Sequence, residues 1–288
     1  LFDNPGILER TIFDYKNQIN KFPNHKIILL LNTYEEYEYF KKRGIDSYFI
    51  NHNALVDPNI FKPRNREKKY DIIYNGRLEI GKRHYLLKSC KNIALISAPI
   101  LRQNKLKIDY LNYLRSILPE AEVFNFENPL KLDQLNSFLN MPILNSKSVS
   151  YILNKSKVGV ILSHKEGACY ASIEYLLSGL PVVTTRNIGG RNVFLDKRFC
   201  KFVFSNSISV ERAVSKLLKQ NIPSDFIRTI TLEKMQIHID KIKTLLENIF
   251  KENGNTNISI DKKWKNFYIN KMLKIGEKFP ENFIKDIA

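Results

Sequence analysis

Two glutamates carry the clearest chemical signal in this chain. Glu166 and Glu174 stand eight residues apart in Ser163-His164-Lys165-Glu166-Gly167-Ala168-Cys169-Tyr170-Ala171-Ser172-Ile173-Glu174, where an apolar strand gives way to a helix. Unpaired N–H groups at a helix start form an anion site. Phosphates resting there leave Glu166 on the loop and Glu174 two turns down the helix to accept hydroxyls at opposite ends of one ligand. A sugar and a ribose satisfy that arrangement. A surface glutamate followed by an ordinary helix glutamate gives the same spacing, but Glu174 sits among Ile173, Leu176 and Leu177. A carboxylate in such company needs a partner.

A second loop, Asn75-Gly76-Arg77-Leu78-Glu79-Ile80-Gly81-Lys82, follows another apolar strand. Its two glycines allow tight turning. Arg77 and Lys82 can converge on one point, a planar fork and a mobile point charge that together suit a diphosphate. A solvated loop accounts for these residues equally well. In a third loop, Thr184-Thr185-Arg186-Asn187-Ile188-Gly189-Gly190-Arg191, the glycines permit close approach at a further helix start, or serve as turn residues. The small loop Ser97-Ala98-Pro99 leaves room for a ring.

The elements that must position these loops alternate between strand and helix. Helix Ile7–Lys21 is followed by strand Ile27–Leu31, a helix opened by Asn32-Thr33 and stopped by Gly44, and strand Ser47–Ile50. Arg64–Lys69 is a charged stretch with the character of a linker. From Tyr70 the reading is strand Asp71–Tyr74, helix Tyr85–Cys90, strand Ile93–Ser97, helix Ile108–Leu118 and strand Glu122–Phe126. Then come helix Ser148–Asn154, strand Val158–Ser163, helix Tyr170–Leu177, strand Pro181–Thr185, a short helix near Gly189-Gly190, strand Lys201–Phe204 and helix Ser209–Gln220. Such alternation predicts a doubly wound parallel sheet with helices on both faces, whose ligands bind beyond the carboxyl ends of the strands. Asp225 to Ala288 reads as amphipathic helix, with Leu245, Ile249, Trp264, Tyr268 and Leu273 as packing residues. The predicted units are residues 1–64, 65–224 and 225–288.

The 288 residues are 43% hydrophobic and 11% aromatic, which excludes a disordered or fibrous chain. Lys+Arg 46 against Asp+Glu 29 gives +17, favouring polyanions: nucleic acid, an anionic bilayer or phosphate-bearing ligands. Cys90, Cys169 and Cys200 are widely spaced, odd in number and without a C-x-x-C, which fits a reducing cytoplasm. No apolar run reaches the ~18–20 residues that cross a bilayer. The sequence opens on Leu1 without a basic-then-apolar leader, so a longer protein extending upstream is expected.

In order and spacing these residues resemble the retaining, GT-B-fold glycosyltransferases of family 4 (group 1). The resemblance rests on Asn53, Val56-Asp57, Phe61-Lys62-Pro63, Asn75-Gly76-Arg77 with Lys82, the Glu166/Glu174 pair, Gly179-x-Pro181-Val182-Val183 and Gly189-Gly190, and covers roughly residues 26–220. It implies a Rossmann-type nucleotide-sugar-binding domain at 65–224, a partial acceptor-side α/β segment at 1–64, and a helical C-terminus packing back onto that segment. Arg77 and Lys82 would hold the diphosphate beside Gly76, Glu174 the ribose hydroxyls, and Glu166 a donor-sugar hydroxyl. Gly167, Ala168, Cys169 and Tyr170 would approach the phosphates or sugar, and Ile143 and Leu144 would line the base.

The implied reaction is sugar transfer from a nucleoside diphosphate sugar to a hydroxyl acceptor with retention. It needs no cofactor and no metal, because cations and helix dipoles hold the diphosphate. The acceptor would be a polysaccharide, a lipid-linked glycan or another glycan. An enzyme of this kind is expected in the cytoplasm, with peripheral contact at the inner face of an anionic membrane as one use of its charge. Two departures stand out: Cys169 replaces a glycine of the family's Glu-Gly-Phe-Gly, and only residues 1–64 represent the acceptor-side domain. A non-catalytic nucleotide-sugar-binding domain is therefore one alternative, and a glycosyltransferase acting on nucleic acid ranks behind it.

Overall fold

The computed structural model describes residues 5–98, 104–135, 141–254, 259–261 and 264. Helix α1 (Pro5–Lys21), strand β1 (Leu29–Leu31), helix α2 (Tyr34–Lys41) and strand β2 (Ser47–Phe49) begin the chain. β1 and β2 pair in parallel, Leu29 opposite Ser47. The Thr33 hydroxyl accepts the Glu36 N–H at 3.0 Å and so starts α2, satisfying a donor that the helix cannot. Leu8, Leu31, Phe40 and Ile45 close a small core there.

The main sheet contains β3 (Tyr70–Asn75), β4 (Ile93–Ile96), β5 (Glu122–Val123), β6 (Leu130–Lys131), β7 (Ser156–Ile161), β8 (Val182–Thr185) and β9 (Cys200–Val203). Its order is β6-β5-β4-β3-β7-β8-β9. All neighbours are parallel except β5 and β6, an antiparallel edge pair that the strand–helix alternation does not predict. Residues 124–129 are too few for a parallel crossover, which takes about a dozen residues. β5 also ends before Phe126, because the Asn125 side chain takes over: it accepts the Ser97 N–H at 2.8 Å and donates to the Pro142 carbonyl at 2.8 Å.

Helices α3 (Lys105–Ile117), α4 (Ser146–Asn154), α5 (Tyr170–Leu177), α6 (Ser207–Lys219) and α7 (Ser224–Glu252) cover the two faces. Asn104, Asn145 and Asn206 cap α3, α4 and α6 with their side-chain oxygens. Leu111, Leu114, Val214 and Leu217 fill one face; Ile152, Ile173, Leu176 and Ile227 fill the other. Two expected helices are instead single 3-10 turns, at His84–Leu87 and Gly190–Asn192. The first is squeezed between Arg83 and Asn92, both in the left-handed region, which leaves no room for a full helix.

α7 crosses back to the N-terminal segment. His238 Nδ1 accepts the Asn51 N–H at 3.3 Å, and Lys26 pairs with Glu252 at 2.7 Å. Ile50, Ala54 and Phe61 share one core with Ile242, Leu245 and Trp264. Tyr268, Leu273 and Pro99 lie outside the described residues.

The strand order has one consequence for chemistry. From β3 the chain works outward to β6, returns through α4 to β7, and works outward again to β9. The direction reverses between β3 and β7, where doubly wound sheets open a crevice beyond their carboxyl ends.

Candidate functional site

The loops after β3 and β7 meet at this reversal. The Lys82 ammonium donates to Glu166 Oε1, and the two side chains are only 25% and 15% exposed. An ion pair so shielded is screened by salt far less than a surface pair. The loop after β3 is fixed from below, the Tyr74 hydroxyl donating to the Lys82 carbonyl. Glu166 is fixed through its backbone: Ile188 N–H donates to the His164 carbonyl at 2.8 Å, and Glu166 N–H to the Ile188 carbonyl at 3.2 Å.

Glu174 joins the same pair of elements from α5. Asn75, the last residue of β3, donates its side-chain amide to Glu174 Oε2 at 3.2 Å and its backbone N–H to the Tyr175 hydroxyl at 2.5 Å. Tyr175 reaches that far because α5 lies directly on β7, where a Cβ at Gly159 would stand 2.3 Å from the Tyr175 ring. Burial pushes the Glu174 carboxyl up to about 7, and the Asn75 hydrogen bond only partly opposes it. Added hydroxyl donors would favour the carboxylate.

The turn between Glu166 and α5 is held from the N-terminal segment. Asn53, fully buried, donates to the carbonyls of Ala168 at 2.7 Å and Cys169 at 3.2 Å, and to the Ser172 hydroxyl at 3.2 Å. Asn51 donates to the carbonyls of Asn32 and Gly190, both at 2.9 Å. The His52 and Tyr170 rings lie 5.0 Å apart. Ala168 is buried, Gly167 and Tyr170 are exposed, and Cys169 is half-buried. Cys169 has φ 64°, the left-handed region that favours glycine. Burial, then the nearby Glu166, pushes its thiol up to about 11, so it is protonated at neutral pH.

The close approach expected at Gly189-Gly190 is made by the protein itself. A Cβ on Gly189 would stand 2.1 Å from the Glu166 carbonyl oxygen, and one on Gly190 2.3 Å from the Asn32 carbonyl oxygen. No full helix starts there to receive an anion. Beside this pair lies a residue the sequence singles out only by its neighbours. Arg191 is fully buried, donating to the carbonyls of Ser163 and Thr185, both at 2.6 Å. Its guanidinium ties together the ends of β7 and β8. His84, also fully buried, stacks on Tyr74 at 4.4 Å and is held neutral by burial, with its pKa near 3.

Other expected site residues are placed less closely. Arg77 is exposed, and among the described residues no hydrogen bond or ion pair ties it to Lys82 or Glu166. Gly76 spends its N–H on the Ile96 carbonyl at 2.9 Å, so it extends the sheet and has no N–H to offer a phosphate. Ile143 is 77% exposed; Leu144 is half-buried and, with Phe124, Asn125 and Pro142, lines a cleft of about 700 Å³. Among the described residues no three His, Cys, Asp or Glu side chains group to hold a metal ion, and no helix is long and apolar enough to cross a membrane.

Residues 131–229, which include Glu166, Glu174 and Gly189-Gly190, match the sequence profile of glycosyl transferases group 1. No curated protein matches the chain. Among solved structures, a glycosyltransferase from Rickettsia africae superposes with TM-score 0.58 at 14% identity, covering 83% of this chain and 67% of its own. HepE of Anabaena in complex with UDP and glucose gives 0.57 at 12%, covering 82% and 67%. Sucrose-phosphate synthase from Thermosynechococcus elongatus gives 0.54 at 13%, covering 78% and 58%. The chain has a GT-B-type fold. It spans 58% of the sucrose-phosphate synthase chain and two thirds of the other two. In this GT-B frame the Lys82–Glu166 pair sits at the strand reversal, with Glu174 one helix start away.

Proposed function

We propose that this chain transfers a sugar from a nucleoside diphosphate sugar to a hydroxyl acceptor, with retention at the anomeric carbon and without a metal. The observation that carries the reading is the Lys82–Glu166 ion pair at the crevice between β3 and β7, with Glu174 on the helix that follows. The group 1 profile across 131–229 supports it. An arriving diphosphate competes with Glu166 for the Lys82 ammonium. Glu166 is then released to accept a sugar hydroxyl, so donor binding itself exchanges one set of partners for another. Glu174, with its pKa near 7, accepts the ribose hydroxyls as the carboxylate.

As the glycosidic bond breaks, negative charge grows on the leaving diphosphate. Lys82 and the N–H groups at the start of α5 stabilise that charge more than they stabilise the ground state, which is the condition for catalysis. Arg77, exposed on the same loop, swings in to complete the diphosphate site. Glu166 orients the sugar and does not attack it. Ile143 and Leu144 border the base, and HepE, which binds UDP, makes uridine the first base to try. The acceptor is a glycan or a lipid-linked glycan, reached in the cytoplasm or at the inner face of an anionic membrane that the +17 charge attracts.

Incubation with a panel of UDP-, GDP- and ADP-sugars, followed by mass analysis of any glycoside and NMR of its anomeric proton, tests the reading. Transfer with retained configuration supports it. Hydrolysis or binding of every donor with no glycoside formed on any acceptor class overturns the assignment as a transferase.

A further inference from the structure

One hydroxyl serves both loops at the strand reversal. Tyr74, buried in β3, donates to the Lys82 carbonyl and accepts the Leu162 N–H at 3.3 Å. Leu162 directly follows β7 and stands four residues ahead of Glu166. The loop that carries Lys82 and the strand that leads to Glu166 are thus tied through a single oxygen.

The ring beneath that oxygen has little freedom. It stacks on His84, with centroids 4.4 Å apart and planes 27° from parallel. A Cβ on Gly76 would stand 3.1 Å from it, so glycine at 76 leaves the ring its place. Burial pushes the hydroxyl well above its ordinary value of 10, so it keeps the proton that it gives to Lys82 throughout the neutral range. The carbonyl it holds belongs to the residue whose ammonium meets Glu166. A lysine is a mobile point charge on a flexible stem, so where its backbone is anchored decides which ligand atoms it can reach.

We propose that Tyr74 is a positioning residue for the donor diphosphate: its hydroxyl, by holding the Lys82 carbonyl to the end of β7, fixes where the Lys82 ammonium meets the phosphates. The proposal rests on the nucleotide-sugar reading and adds to it a residue that acts only through Lys82. A misplaced cation loses most of its value, because electrostatic help depends on pre-set geometry.

The test uses the full chain and titration calorimetry, with thermal melts to show that every variant is folded at the titration temperature. UDP, GDP, ADP, CDP and TDP are measured first, and the one that binds best is compared with its own monophosphate. The native chain, Tyr74→Phe, Lys82→Met and the double variant then form a cycle. Phenylalanine keeps the ring for the stack on His84 and removes only the hydroxyl.

The expected result is that Tyr74→Phe weakens the diphosphate ~10-fold and leaves the monophosphate within about twofold, and that the same substitution in the Lys82→Met background changes neither. An equal loss for diphosphate and monophosphate, or a loss that persists undiminished in the Lys82→Met background, assigns Tyr74 to general packing and overturns the proposal. So does an unchanged diphosphate affinity in Tyr74→Phe. The nucleotide-sugar reading survives all three of these results. If none of the diphosphates binds the native chain, that reading fails first and the role of Tyr74 falls with it.

Discussion

The side-chain amide of Asn53 donates to the carbonyl oxygen of Ala168 at 2.7 Å, across 115 positions of sequence. With its bonds to Cys169 and Ser172, this one buried side chain fastens the N-terminal segment to the turn that leads into α5. The turn that carries Glu166 is therefore held from outside its own sheet. Asn53→Ala leaves two buried carbonyls without that donor, and about 1–3 kcal/mol of stability is expected to be lost. Thermal unfolding should show a fall of several degrees, and calorimetry a weaker nucleotide affinity. Asn53→Asp, which turns an acceptor toward those carbonyls, should be worse than alanine; a variant melting with the native chain would remove this role from Asn53.

Glu174 predicts a pH dependence with two opposite signs. Its carboxyl is pushed up to about 7 in the folded chain, above its ordinary value of 4.5, so the native state holds a proton that the unfolded state has released between those values. Stability contributed by this group is thus lost as pH rises from about 4.5 to 7. Nucleotide affinity should move the other way, strengthening as the carboxylate forms. Glu174→Gln should raise the urea midpoint at pH 8, by about 1–3 kcal/mol in free energy, and flatten the affinity profile. Midpoints and affinities at pH 5.5 and 8 check both signs, and a parallel shift in the two quantities contradicts the assignment.

The glycines separate into those that touch and those that do not. Gly189→Ala puts a Cβ 2.1 Å from the Glu166 carbonyl oxygen at a φ of 115°, so the turn bearing Glu166 must move. A loss of about 2–4 kcal/mol and of most nucleotide affinity is expected. Gly81→Ala meets nothing within 4 Å and should cost no more than about 0.5 kcal/mol. Chemical denaturation of the two variants side by side decides it.

Arg191 holds the ends of β7 and β8 through the carbonyls of Ser163 and Thr185. Arg191→Met leaves both without those donors, and about 3 kcal/mol or more should be lost. Arg191→Lys keeps the charge without the fork, so only partial recovery is expected. Full recovery by lysine in urea unfolding would show that the charge matters and the geometry does not.

Much of this organisation was readable from residue order. The strands read at Asp71–Tyr74 and Val158–Ser163 overlap β3 and β7, and the helices read at Ile108–Leu118, Ser148–Asn154 and Ser209–Gln220 overlap α3, α4 and α6. The spacing of Glu166 and Glu174 places one on a loop and the other on the following helix, as found. Local periodicity carries this information because strand and helix expose their neighbours at fixed, different intervals. The short segments depart from local periodicity where a left-handed residue at each end, Arg83 and Asn92, confines a single turn, and where Asn125 replaces backbone pairing with its own amide.

Residue order alone implies that strands alternate with helices and that acidic and basic residues occupy the loops after the strands. It takes the folded sheet to make β3 and β7 neighbours, and hence to bring Lys82 to Glu166 and not to some other acid. The same packing makes Asn53 and Arg191 buried struts. The reason is physical: secondary structure follows from interactions within a few residues, whereas strand order and the pairing of distant polar groups are set by how whole faces pack and by the cost of leaving a buried donor or acceptor unpaired.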